Sequence, residues 1–202
     1  MRALFRSTII STALLLSASH ADTRIGGDIS EVSFNSKESP YVIGKESVIT
    51  ENNEVTIPAG VVLRFEPFTG LRVEGALIVE GTPDEPVVFT SIHDTAYGEG
   101  SDRLPNAFDW NGIQIAPSCE RAEFRNFILR YSTHGILSQH DELIIDNGLF
   151  AHSGQFHLKI DGEIHSVQNN IAYSYNTTPP DTTAAPVVDT VAPPDDDWKK
   201  AE

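Results

Sequence analysis

Residues 55–91 constrain what this chain can fold into more than any other stretch. Val55 and Ile57, then Val61, Leu63 and Phe65, then Leu71 and Val73, Leu77 and Val79, and Val87 and Phe89 form short apolar runs. Thr56, Arg64, Arg72 and Glu80 take alternate positions among them. A period of two, with β-branched and aromatic residues on one side, marks half-buried strands. Gly60, Gly70, Gly75 and Gly81, with Pro58, Pro67, Pro83 and Pro86, punctuate the runs where the chain must bend. Strands this short and turned this often bury an inner face only by winding into a coil or closing into a sandwich.

A spaced repeat decides between the two. Phe124-Arg125-Asn126-Phe127-Ile128, Ile145-Asp146-Asn147-Gly148-Leu149 and Val167-Gln168-Asn169-Asn170-Ile171 align, with their asparagines 21 and 22 residues apart. A period near 20 with one apolar-x-Asn block per turn is what a solenoid of stacked strands requires. Polar side chains on an otherwise apolar path cost stability unless they bond. Stacked at a bend, each amide bonds the next while its backbone takes the left-handed conformation that asparagine tolerates. Asn126, Asn147 and Asn169 are therefore expected to form a structural ladder with no catalytic part. At this period, residues 41–175 provide about six turns and almost no α-helix.

The string Val73-Glu74-Gly75-Ala76-Leu77-Ile78-Val79-Glu80-Gly81-Thr82, closing on Pro86-Val87-Val88-Phe89-Thr90-Ser91, is followed by Trp110-Asn111-Gly112-Ile113 and the Asn-bearing turns. Together they resemble bacterial right-handed parallel β-helix proteins of the pectate-lyase-like superfamily. The resemblance spans residues 55–175 and implies an all-β fold, a single-stranded right-handed parallel β-helix. That fold serves polysaccharide lyases, glycoside hydrolases, adhesins and proteins with no known activity. Architecture follows from it, and chemistry must come from the residues.

The ends of the chain read differently. Met1-Arg2-Ala3-Leu4-Phe5-Arg6, a mostly apolar run over 9–18 and Ser19-His20-Ala21 have the order of a secretory signal peptide over residues 1–21. The apolar run is too short to span a bilayer. Residues 22–53 are expected to be leading strands that cap the coil, residues 54–175 the β-helix, and residues 176–202, rich in Pro, Thr and Asp, a disordered tail. An exported protein, periplasmic, cell-surface or secreted, is the expectation. Cys119 has no second cysteine to pair with, so the core carries the stability.

The net charge is −15, and without residues 1–21 it becomes −17, from 12 basic and 29 acidic side chains. Such a field repels nucleic acid and anionic lipid. An envelope protein or a polysaccharide is the expected partner, and no transmembrane segment is expected. Ile164, Val167 and Ile171 lie on the last repeat with Asn-Thr-Thr-Pro-Pro beyond it, which predicts self-association through an open C-terminal end.

Candidate sites are outward residues on neighbouring turns. Arg125 and Asp146 precede the ladder asparagines and form the candidate catalytic pair, as a lyase or glycosidase needs acids and bases in one groove. Asp94, Glu99, Asp102 and Asp109, on a long loop with Gly98, Gly100 and Pro105, are the candidate metal ligands, and calcium is the cation their oxygens suit. Phe127, Tyr131, Phe150 and Tyr173 are candidate sugar-stacking rings. Bases are sparse on the later turns, where Arg121, Arg125, Arg130 and Lys159 stand apart, which argues against a lyase. The leading expectation is a non-catalytic exported β-helix module, a surface, binding or assembly element of the cell envelope. The alternative is a carbohydrate-active enzyme, a polysaccharide lyase or glycoside hydrolase acting on acidic polysaccharide.

Overall fold

The computed structural model describes residues 22–99, 101–140 and 142–176. The expected signal peptide and the tail after Asn176 lie outside the described residues. Within them the chain is all-β, apart from one 3-10 turn at Ser36–Glu38. It is a parallel β-solenoid of about six turns.

Three faces make up each complete turn. The first face stacks β1 (Thr23–Asp28), the start of β2 (Tyr41–Ile49), β4 (Val62–Phe65), β7 (Val87–Ser91) and the ends of β9 (Arg121–Arg130) and β11 (Leu143–Ala151). The second stacks the ends of β1 and β2, then β5 (Leu71–Val73), β8 (Ile113–Ile115), β10 (His134–Ser138) and β12 (Phe156–Ile160). The third begins with β3 (Glu54–Pro58), followed by β6 (Ala76–Glu80) and the starts of β9 and β11.

Register makes the core. On the first face Tyr41, Leu63, Phe89, Leu129 and Phe150 align from turn to turn. On the second, Ser47, Leu71, Ile113, Ile136 and Leu158 do so, and on the third, Ile57, Val79, Phe124 and Ile145. All of these are buried. Each inward residue thus covers the one before it, which is how short alternating runs share one continuous core. Trp110 stacks on Phe65 at 4.0 Å and donates its indole N–H to the Arg130 carbonyl at 2.9 Å.

At the N-terminal end the leading strands are in register with the coil, and at the C-terminal end the structure departs from the sequence reading. Residues 22–53 are part of the coil, because β1 and β2 are its first two rungs on two faces. The expected last parallel turn reverses direction instead. β13 (Glu163–Ile164) lies antiparallel to β12, and β14 (Ala172–Asn176) antiparallel to β11. Ile160 pairs with Glu163 across Asp161 and Gly162, whose φ angles of 44° and 84° make a two-residue hairpin turn. Asp-Gly is a favoured pair for such a turn, since both residues accept positive φ. The last parallel rung is therefore paired with the chain's own reversed segment, on which Ile164 and Ile171, two of the residues expected at a self-association surface, remain exposed.

The long loop, residues 92–109, is fastened to the coil. Fully buried Arg64 donates to the carbonyls of Ile92 (2.5 Å) and Glu99 (3.1 Å). Asp94 accepts from Thr90 (2.6 Å) and pairs with Arg130 (2.5 Å), and Asp109 accepts from Ser91 (2.7 Å) and pairs with Arg103 (2.8 Å).

Candidate functional site

The ladder has two rungs. Asn126 and Asn147, with φ of 47° and 54°, turn the chain from the third face to the first. Asn147 Nδ2 donates to Asn126 Oδ1 at 2.8 Å, and Asn126 Nδ2 donates to the Gly81 carbonyl at 2.9 Å. Asn169 does not join them. With the last segment reversed, its Oδ1 accepts instead from the His152 N–H at 2.9 Å.

The metal candidates are separated by their own bonds. Asp94 and Asp109 are buried acceptors already held by arginines, so their oxygens serve the loop clasp. Glu99 and Asp102 point into water. Among the described residues no group of three or more His, Cys, Asp or Glu is placed to hold a metal ion. Nor do the histidines converge: His134 meets Gln155, His157 meets Ser153, and His165 meets Tyr173.

Arg125 and Asp146 are register partners on adjacent strands, beside a groove of about 430 Å³ lined also by Ile144, Ser174 and Tyr175. Glu123, which sequence reasoning missed, dominates this surface. It pairs with both Arg121 (2.7 Å) and Arg125 (2.9 Å). Burial pushes its carboxyl up, but the hydrogen bonds from Arg125 and Arg121 outweigh burial and hold it below the ordinary carboxylate range. Arg125 is held further toward its charged form by Glu123 first, with Asp146 and Glu80 adding to the effect. A carboxylate clamped between two cations is a poor proton acceptor.

Two of the candidate stacking rings are core. Phe127 and Phe150 are buried and meet edge to face at 5.3 Å. Tyr173 packs half-buried against the core, with its hydroxyl 3.3 Å from His165 Nδ1. Tyr131 alone of the four lies at an outer corner, its ring parallel to His152 at 5.2 Å and beside the Arg130 guanidinium at 5.3 Å.

That corner joins the first face to the second and holds residues that the alternation did not single out. Phe68 is 87% exposed and Phe108 is 58% exposed. The Phe108 ring lies so close over Gly154 that a side chain there would collide with it. Beside the corner, a groove of about 240 Å³ is lined by Glu46, Asn111, Gln114 and His134. Asn111 Nδ2 donates to the Phe68 carbonyl at 3.1 Å and to Glu46 at 3.4 Å, which fixes the amide at the groove. His134 faces Phe156 at 5.0 Å.

Fold and site together define a parallel β-solenoid whose outer corner carries exposed aromatic rings, with a groove lined by both polar and apolar residues on the adjoining face. Over 87 residues, 43% of this chain, it is 33% identical to the Drosophila melanogaster protein named Protein bark beetle. The chain spans about 3% of the length of that relative. No family model matches the chain, and no solved structure matches it.

Proposed function

We propose that this protein is an exported, non-catalytic β-solenoid module that serves as a binding element of the cell envelope. The carrying observation is the outer corner, where Phe68 and Phe108 stand in water although the coil has a continuous core to receive apolar rings. Exposed rings grouped beside polar groups mark a recognition surface. Kinship with the pectate-lyase-like β-helix proteins is part of the same proposal, supported by the strings over residues 73–91 and 110–113. The partial identity to Protein bark beetle adds a relative without adding a ligand.

The enzyme reading has one observation in its favour, Arg125 and Asp146 in register beside a groove. The two readings separate in one assay. The mature protein is incubated with polygalacturonate, alginate and neutral glycans, with and without calcium, and ultraviolet-absorbing unsaturated products and new reducing ends are measured. The binding module releases neither. Product that disappears in Asp146→Asn would establish the carbohydrate-active enzyme instead.

A further inference from the structure

A sheet that does not close on itself ends in strands whose outer N–H and C=O groups can pair with another chain. Among the described residues this solenoid has four such end strands, β1 and β3 at the N-terminal end and β13 and β14 at the C-terminal end. Three of them are protected. β1 is broken by a bulge between Ile25 and Gly27, and Lys45 lies so close across it that a Cβ at Gly26 would sit 2.7 Å from Lys45 Cγ. On β3 the Asn53 carbonyl accepts from the Ala76 N–H at 2.8 Å. Alternate residues of a parallel strand bond to the same side, so Val55 and Ile57 serve β6, while Glu54, Thr56 and Pro58 face the open side. A charge and a proline without an N–H blunt that edge. β13 is only two residues long.

β14 has none of these devices. Its five residues, Ala172-Tyr173-Ser174-Tyr175-Asn176, carry no charge and no proline, and the extra residue at its register shift belongs to β11. Tyr173 and Tyr175 are only partly buried against the core, and on the same reversed segment Ile164 is 64% and Ile171 54% exposed. We propose that β14 is the interface of a two-fold dimer, in which it pairs antiparallel with β14 of a second copy. This goes beyond the binding-module reading and does not depend on it.

A two-fold axis lays a strand edge antiparallel on its own copy, so one strand supplies both halves of the ladder. Centred on Ser174, the ladder sets Tyr173 opposite the second copy's Tyr175, and aromatic cross-strand pairs are among the favourable ones. Charge permits the match. Lys159, Asp161 and Glu163 at this end form no ion pair with other described residues, so each copy brings both signs to the contact. The protected N-terminal edges deny the head-to-tail pairing that would continue into a fibre, and the assembly closes at two.

The test is the mass of the mature full chain by light scattering, over a concentration series. A dimer with a dissociation constant on the order of micromolar is expected. Lysines at two exposed positions, Ile171→Lys with Ala172→Lys, should weaken it at least about tenfold and leave the melting temperature of the monomer unchanged. In Ser174→Cys the new thiol meets its own copy at the two-fold axis, so mild oxidation should give a disulfide-linked dimer, with Cys119 buried and out of reach. Where the lysines themselves lower the melting temperature, the cysteine variant decides. A monomer at every concentration, a dimer that tolerates the lysines, an open series of larger oligomers, or a Ser174→Cys chain that does not link to itself overturns the proposal.

Discussion

Asn126 and Asn147 show how one residue type can answer two demands at a corner. The bend needs positive φ, and the side chain standing at it, half-buried at 126 and exposed at 147, gains from a bonded partner; an asparagine stacked on an asparagine meets both. Leucine at 147 would leave Asn126 Oδ1 without its donor and force a branched side chain into a left-handed position. Asn147→Leu is therefore expected to lower stability by about 1–3 kcal/mol, as read from the urea midpoint. The aromatic residues at the neighbouring corner meet the same backbone demand through packing, with His152 stacked on the Tyr131 ring and Phe108 lying over Gly154.

Among the elements, the C-terminal hairpin decides how the coil ends. Its Asp161-Gly162 turn was legible as a hairpin signal, yet the 21- and 22-residue Asn spacing suggested one more parallel turn. Turn chemistry prevailed, since a two-residue turn with both φ positive reverses the chain whatever the spacing of later asparagines. A Cβ at Gly162 would meet nothing within 4 Å, so any substitution there acts through the backbone. Gly162→Val should cost about 1–2 kcal/mol and speed hydrogen exchange at β12 and β13, whereas Gly162→Asn should be nearly neutral. Equal effects of the two would show that the turn does not hold the cap.

For the whole molecule, acid stability draws on groups shifted downward by different causes, His157 and Glu123 among them. Burial holds His157 below the ordinary histidine value, against a hydrogen bond from its ring to Asn169 that works to raise it, with His152 lowering it further. As pH falls below about 6.5 the unfolded chain takes up this proton before the folded one, so folded stability drops there. Glu123, held low by its arginines, contributes stability above the ordinary carboxylate value and loses it as pH falls below about 4.3. Melting temperature measured from about pH 8 to about pH 2 should fall in two steps, one below about pH 6.5 and one below about pH 4.3, and His157→Gln should remove the upper one.

Alternation, Gly and Pro punctuation and the Asn spacing, all short-range or periodic signals, by themselves determined that this chain is a parallel β-solenoid of about six turns. They also placed Asn126 and Asn147 at a bend. Only the tertiary structure decided which side chains face out, because inside and outside swap phase at each corner. Phe124 points in, Arg125 out, Asn126 turns the chain, and Phe127 points in again, so a ring two or three residues past a bend cannot be assigned from the period alone. Pairing across turns was equally hidden. Asp94 meets Arg130, and Arg64 meets the carbonyls of Ile92 and Glu99, because the turn that carries the 92–109 loop lays it back over the first face. The charges that looked free in sequence are paired only once the turns are stacked.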